Sequence, residues 1–522
     1  EQIKKNPYLL TAFMADLSAI DAYALDRIQM KEDAPERLTA YAKQVMFNGF
    51  NSGNTCLETT KVKYQLKRML GKTLGTKAFD EAVERGELGF HDNLVQVKSM
   101  DIVESSVANI IKHLSEKSFS QALAKRVDSV IDSFELGVGF SLTEQQRNAV
   151  LQCCTNSITL LTGGAGCGKT TVIEAICYAL ESLNQTKQVI LMALAGKAAQ
   201  RITEATGREA MTIAGFMHNV ASEDINDDAV IVVDEASMVD VLSLLKVLKR
   251  VPKRGRIILT GDQEQLPPVG VGLGLHVLVN LPLANPHLTV VKRQSESSGI
   301  PNIAFAIRNY PSNQIEVPFT PYQGSGSGVS FIDCEPSNIE AMCMKVYREL
   351  GGNGSDDNVV LLSSVKHQEG GVVNINSHVY DEFALGEKLT LEHTEFGNVN
   401  HNIDGRPLKV GEMVMFTRND YKKDIRNGSV GKVLSSNDEA VTIDFEGNIV
   451  ELALNDLCNI ERAYAMTVHK SQGSQYERVI IVVKNSRNID RHLLYTAVTR
   501  AKKQAILVGC RCTFYSALQK SN

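Results

Sequence analysis

Gly163-Gly164-Ala165-Gly166-Cys167-Gly168-Lys169-Thr170 decides the fold. It fits G-x-x-x-x-G-K-[ST], follows the apolar run Ser157 to Thr162 and opens the helical pattern Thr171 to Leu180. That strand, loop and helix context is what a phosphate-binding loop requires. Glycines let successive backbone N–H groups turn inward on phosphate, and the helix N-terminus adds the positive end of its dipole. On this pattern Lys169 reaches the β- and γ-phosphates, Thr170 ligates Mg²⁺, and Gly163, Gly164, Ala165, Gly166, Cys167, Gly168 and Thr171 complete the cradle.

Downstream, Ile231-Val232-Val233-Asp234-Glu235 delivers two carboxylates to the end of a buried strand. Asp234 is the expected Mg²⁺ ligand and Glu235 the group that polarises the attacking water. Either motif alone could be structural, a glycine-rich turn or a capped strand. Together they point to a nucleoside triphosphatase using ATP and Mg²⁺, without saying what the energy drives.

Around this centre, short β-branched runs alternate with helical segments, at Val189 to Ala193, Ala229 to Val233 and Arg256 to Thr260, the pattern of a parallel sheet covered by helices. A second such set holds strands at Asn358 to Ser363, Arg478 to Val483 and Ala505 to Gly509, and a helix over Arg491 to Lys502. Two α/β units are expected. Between strands of the second lies a stretch of short strands broken by turns such as Asn427-Gly428 and Glu446-Gly447, which reads as a small inserted β-barrel. Residues 1 to 135 carry apolar positions at helical spacing and few β-rich runs, so an accessory helical region is expected there. Within it Lys61, Lys63, Lys67, Arg68 and Lys72 cluster, either as a solvated helix face or as a contact for phosphate.

The 522 residues exceed the usual size of one domain several-fold, and 43% hydrophobic with 22% charged residues excludes the disordered and fibrous classes. A formal net charge of -5 gives no bulk sign of a nucleic-acid binder, so such a role must rest on a local groove. The ten cysteines show no paired CxxC zinc spacing and are expected to be reduced, mostly buried thiols. No apolar run approaches the roughly 20 residues of a membrane span, and the start Glu1-Gln2-Ile3-Lys4-Lys5 lacks the signal-peptide pattern, so the cytoplasm is the expected compartment.

The remaining motifs resemble those of the RecD-like DNA helicases, in the 5′→3′ branch of superfamily 1. Leu142-Thr143-Glu144-Gln145-Gln146 looks like the family's adenine-reading motif, with Gln146 gripping the base edge. Gly261-Asp262-Gln263-Glu264-Gln265-Leu266-Pro267-Pro268-Val269-Gly270 resembles its coupling motif, in which Gln265 senses the γ-phosphate. Arg293-Gln294 looks like the next motif, with Arg293 on phosphate. Thr467 to Gln475 resembles motif V, bringing Gly473 to the nucleotide and Thr467, His469 and Ser471 toward DNA; Leu494 to Lys502 resembles motif VI, with Arg500 as arginine finger.

The resemblance implies two RecA-like parallel-sheet motor domains, 136–300 and 301–392 with 459–522, an SH3-like barrel insert at 393–458, and the helical region 1–135 of the family's longer members. It implies ATP-driven 5′→3′ movement on single-stranded DNA and unwinding at junctions of single and double strand, in repair or recombination, with a protein partner expected through the N-terminal region. A DNA clamp or protein-displacing adaptor without processive unwinding is the alternative. A small-molecule kinase or transport ATPase would have no need of motifs V and VI. The chain departs from the family at Leu194-Ala195-Gly196-Lys197 and Thr212-Ile213-Ala214, each removing an expected DNA contact, and Phe216 to Asp228 is short for a strand-separating hairpin.

Overall fold

The computed structural model describes residues 2–13, 16–50, 52–117, 121–290, 299–310, 317–389, 391–393, 397–399, 402–418, 420, 423, 425, 427–437, 440–445 and 447–520. The chain divides into two compact units. One comprises Glu1–Ser118, Met238–Val251 and Pro268–Leu281, the other Phe119–Ser237, Pro252–Pro267 and Pro282–Asn522.

The larger unit contains two parallel sheets. The first runs in the order Ala210–Thr212, Val189–Ala193, Val230–Asp234, Arg256–Gly261, Ile158–Gly163, His287–Leu288, with every pairing parallel. Ile158–Gly163 and Arg256–Gly261 are buried at every position, which explains their continuous apolar reading: helices cover both faces. The boundary expected at residue 135 falls inside the helix Gln121–Val138. Its stripe of Leu123, Val127, Ile131 and Phe134 shares a core with Val172 and Ile176 of the helix Lys169–Ser182, so it packs with the first parallel sheet's layer and not with the residues before 118.

The second sheet runs Gly328–Asp333, Ala501–Gly509, Tyr476–Val483, Val359–Ser363, Ala465–Thr467, again wholly parallel. The helix expected over Arg491 to Lys502 ends at Val498, and Ala501 already belongs to a strand. The run Ala505-Ile506-Leu507-Val508 takes sheet pairing on both sides, pulling the chain out of helix early and leaving Arg500 at the junction.

An antiparallel five-stranded sheet of order Asn448–Ala453, Ala440–Phe445, Val430–Ser436, Met413–Phe416, Ile460–Arg462 interrupts this second set; its last strand lies beyond the expected limit of 458. Val414, Phe416, Val433, Val441, Ile443 and Leu452 form its own core, while Met413, Met415 and Val430 join that of the parallel sheet. The Arg462 Nε donates to Glu412 Oε2 at 2.8 Å, with both side chains essentially inaccessible, and the guanidinium sits 4.3 Å from the Tyr380 ring centre. Burial pushes the Glu412 carboxyl up, and the Arg462 charge works against that. Arg462→Met, which strands this carboxylate, is therefore expected to cost about 3–5 kcal/mol, read as a lowered denaturation midpoint.

In the smaller unit the helices Pro35–Phe50, Thr59–Leu70, Lys72–Glu84 and Lys98–Ser115 are joined by a three-stranded antiparallel sheet of order Cys56–Glu58, Leu94–Val97, Leu88–His91. Strands this short carry too few positions to register as a period of two. The helix Val241–Leu248 packs against Lys98–Ser115. Among the described residues no helix is long and apolar enough to cross a membrane. Contrary to the all-reduced expectation, Cys510 and Cys512 are joined as a disulfide, with Cα atoms 5.4 Å apart.

Candidate active site

The phosphate loop leaves the strand Ile158–Gly163 and ends where the helix Lys169–Ser182 begins. Gly168 has φ +79°, a conformation that favours glycine, and a Cβ there would lie 2.4 Å from Gln146 Nε2 and push that amide aside. Lys169 Nζ donates to the Gly163 and Gly164 carbonyls, at 2.6 and 3.1 Å. The ammonium is held over the loop's own oxygens, where it can exchange carbonyls for phosphate oxygens without leaving the loop.

A cavity of about 630 Å³ opens against this loop. Gly164, Ala165, Gly166, Gly168, Lys169, Thr170 and Thr171 line it, with Gln146, Asp234, Glu235, Gln265 and Arg500. Most of the sequence-predicted nucleotide residues thus meet in one place, drawn from both parallel sheets, while Gly163 and Cys167 of the loop do not line it. Asp234 ends the strand Val230–Asp234; burial and the neighbouring Glu235 charge raise its carboxyl above the usual carboxylate range, against the pull of Lys169. Glu235 adopts φ +51°, a left-handed conformation costly for a side-chain-bearing residue, and its buried Oε2 has no hydrogen-bond partner among the described residues. A strained backbone and an orphaned buried oxygen aimed at one cavity fit a group that works on something entering it. Among the described residues no cluster of three or more His, Cys, Asp or Glu could hold a metal alone, so Mg²⁺ here would rely on Thr170, Asp234 and phosphate oxygens.

Arg500 is fully buried. It donates through Nη2 to Gln265 Oε1 at 3.3 Å, through Nη1 to Ser474 O at 3.3 Å and through Nε to Thr496 O at 3.1 Å. Burial lowers its pKa, and the Glu235 carboxylate opposes that shift. Around it the two sheets are laced together. Tyr495 Oη donates to Asp262 Oδ2 at 2.7 Å and Leu266 N donates to Thr496 Oγ1 at 3.0 Å, while His492 Nδ1 lies 2.9 Å from Glu264 O. The segment 262–266 and the helix Arg491–Val498 are therefore held in direct contact.

Four placements differ from expectation. Gln146 borders the cavity, but its amide is committed: Oε1 accepts from Thr143 N, capping the helix Glu144–Thr155, and Nε2 donates to Cys167 O at 3.1 Å. It braces the loop while bordering the cavity. Gly473 is not among the lining residues; its carbonyl accepts from Arg201 Nη1 at 3.1 Å, and Gln475 lines the cavity instead. Ser471 is buried, its hydroxyl donating to Val468 O at 2.8 Å, so it presents nothing to a strand. Arg293 lies outside the described residues.

Four lining residues escaped the sequence reading, Phe140, Ala198, Arg201 and Ile202. Arg201 sits on the helix Gly196–Thr206, where charge alone reads as solvated surface; only the fold turns it toward Asp234 and Arg500. The short segment 217–228 holds the end of the helix Ile213–Asn219 and a single 3-10 turn, Ser222–Asp224, with no strand.

A family model described as an AAA domain matches residues 141–315, and one described as a UvrD-like helicase C-terminal domain matches 462–508. The chain is 31% identical over 507 residues to an ATP-dependent RecD2 DNA helicase of Deinococcus radiodurans, covering 91% of this chain and 66% of that protein. It is 27% identical over 572 residues to the RecD subunit of the RecBCD enzyme of Mycolicibacterium smegmatis, covering 98% of this chain and 97% of that one. It is also similar to the solved structure of a Pif1 helicase from Bacteroides, at 20% identity, 70% coverage of this chain, 92% of that chain and a TM-score of 0.44. With the motif residues gathered at one cavity and relatives matching along nearly its whole length, this chain belongs to the RecD-like helicases of superfamily 1.

Proposed function

We propose that the chain is an ATP-dependent DNA helicase that moves 5′→3′ along single-stranded DNA, coupling hydrolysis between two RecA-like domains to strand movement. The observation that carries this reading is the shared cavity. Lys169, Asp234 and Glu235 come from one sheet and Arg500 from the other, with Gln265 hydrogen-bonded to Arg500 between them. A nucleotide held there senses whether the two domains are closed, which is what a translocating motor needs.

In this reading Lys169 binds the β- and γ-phosphates, Glu235 accepts the proton of the attacking water, and Arg500 with Gln265 stabilises charge on the leaving γ-phosphoryl. Arg201 ties the nucleotide cavity to the Gly473 carbonyl, so strand contact near motif V reaches the phosphates by one hydrogen bond. Thr170 and Asp234 would hold Mg²⁺, which supplies positive charge to the phosphate oxygens. The antiparallel insert serves as the SH3-like barrel and residues 1–118 as the accessory region, contacting a protein partner. The cytoplasm is the compartment, and repair and recombination at junctions of single and double strands are the fitting tasks.

The missing strand in 217–228 favours a motor that translocates better than it unwinds, since a wedge at the fork needs a rigid element. Two measurements test the proposal. Single-stranded DNA should stimulate ATP turnover, and the protein should displace streptavidin from a 3′-biotin but not from a 5′-biotin. Displacement only from the 5′ end would overturn the polarity, and turnover indifferent to DNA would overturn the motor. Strand affinity should weaken on the order of 50-fold between about 50 and 200 mM salt if roughly four phosphates are contacted.

A further inference from the structure

The smaller unit holds a feature that the motor does not use. Its elements follow the order helix Pro35–Phe50, strand Cys56–Glu58, helix Thr59–Leu70, helix Lys72–Glu84, then the hairpin Leu88–His91 and Leu94–Val97. All share one core built from Leu38, Met46, Leu57, Val62, Leu66 and Phe79. The element order is that of a helix-turn-helix followed by a β-hairpin wing, with the turn reduced to Gly71. Gly71, at φ +81°, makes the turn, and Gly75 lets the helices touch: a Cβ there would sit 2.6 Å from the Lys67 Cα. The tip of the hairpin is fastened beside the first of these helices, because Thr59 donates through N and Oγ1 to the Asn93 carbonyl, at 2.9 and 2.8 Å.

The helix Thr59–Leu70 carries four cations and no acidic residue, on a chain whose net charge is -5. Lys63 is folded over the Phe79 ring, 4.5 Å from its centre, and belongs to the packing. Lys61, Lys67 and Arg68 are exposed, with Tyr64 among them and 67% exposed, and Lys72 continues the same charge. Lys61, Tyr64 and Arg68 recur at i, i+3 and i+7 and so share one face. Neighbouring ion pairs use other cations, Lys43 with Glu87 and Lys77 with Asp33, and among the described residues Lys61, Lys67 and Arg68 form none, although Glu58 stands at the N-cap of the helix.

We propose that this face binds the phosphate backbone of duplex DNA. Two helices packed on one core with a wing beside them suit a duplex, whereas single-strand sites are grooves lined by several stacking aromatics. The contact runs through Thr59–Leu70, because the following helix exposes Asp80 and Glu84, which repel phosphate. Binding is therefore insensitive to sequence, phosphates carrying no base information. The surface requires neither ATP nor the motor reading, and it would hold the duplex that the motor approaches.

The test uses the full chain and the triple variant Lys61→Gln, Lys67→Gln, Arg68→Gln, with a short blunt duplex and no nucleotide, followed by fluorescence anisotropy across salt. The variant should bind the duplex on the order of tenfold more weakly at about 50 mM salt, with a log–log salt slope shallower by about 2.7. Single-strand-stimulated ATP turnover should match the parent, and the melting curves should coincide. An unchanged slope, a parent that ignores the duplex, or an equal loss of single-strand binding would each overturn the proposal. A parent lacking DNA-stimulated turnover that still shows the slope difference would defeat the motor reading and leave this surface standing.

Discussion

Lys169→Ala is expected to abolish measurable ATP turnover while the melting temperature stays close to that of the parent. Removing one preorganised charge from a transferring phosphoryl group costs at least about 10²- to 10³-fold in rate. The stability cost is small, because the two bonds lost go to the Gly163 and Gly164 carbonyls, which border the cavity and can take water in exchange. Such a pair of bonds is worth on the order of 1–3 kcal/mol. Turnover and thermal melting on the same preparation check this, and near-normal turnover would remove the phosphate-loop assignment.

For Arg500→Ala the expected result is a protein that still binds ATP but turns it over roughly 10³- to 10⁵-fold more slowly. The separation follows from placement: Arg500 enters from the second sheet, while the loop that holds the phosphates belongs to the first. The side chain is also structural, holding Gln265, Ser474 and Thr496, so alanine removes these three bonds, although the Thr496 carbonyl keeps the one from Thr499 Oγ1. Arg500→Lys keeps the charge and part of this bonding, and should bind nucleotide with slow turnover and a near-parent melting point. Loss of nucleotide binding in both variants, together with early unfolding, would make Arg500 a packing residue only.

The motor core was legible because its signals are local. A glycine-rich loop between strand and helix and a buried strand ending in two carboxylates each fit in a few residues, and continuous apolar runs announce parallel strands. What escaped depends on distance in sequence. Arg201 reaches Gly473 across the fold, and nothing near Arg201 in the chain announces that partner. Gln146 was placed at the correct cavity, yet its amide goes to Thr143 and Cys167, a choice made by the capping geometry of its helix. The end of the helix at Val498 was missed because a neighbouring strand pair overrides helical periodicity. The winged arrangement in the smaller unit went unseen for a simpler reason: its strands are three and four residues long.

The chain leaves the smaller unit at Ser118 and returns to it at Met238–Val251 and again at Pro268–Leu281. During synthesis this order imposes a wait. The helix Lys98–Ser115 emerges roughly 125 residues before Val241–Leu248, the helix that packs against it. At about 5–20 residues per second, that apolar face stands open for on the order of 6–25 s. The unit closes only after the glycine-rich loop 163–170 and the strand Val230–Asp234 have been made, so the smaller unit is completed later than segments that follow its first part in the chain.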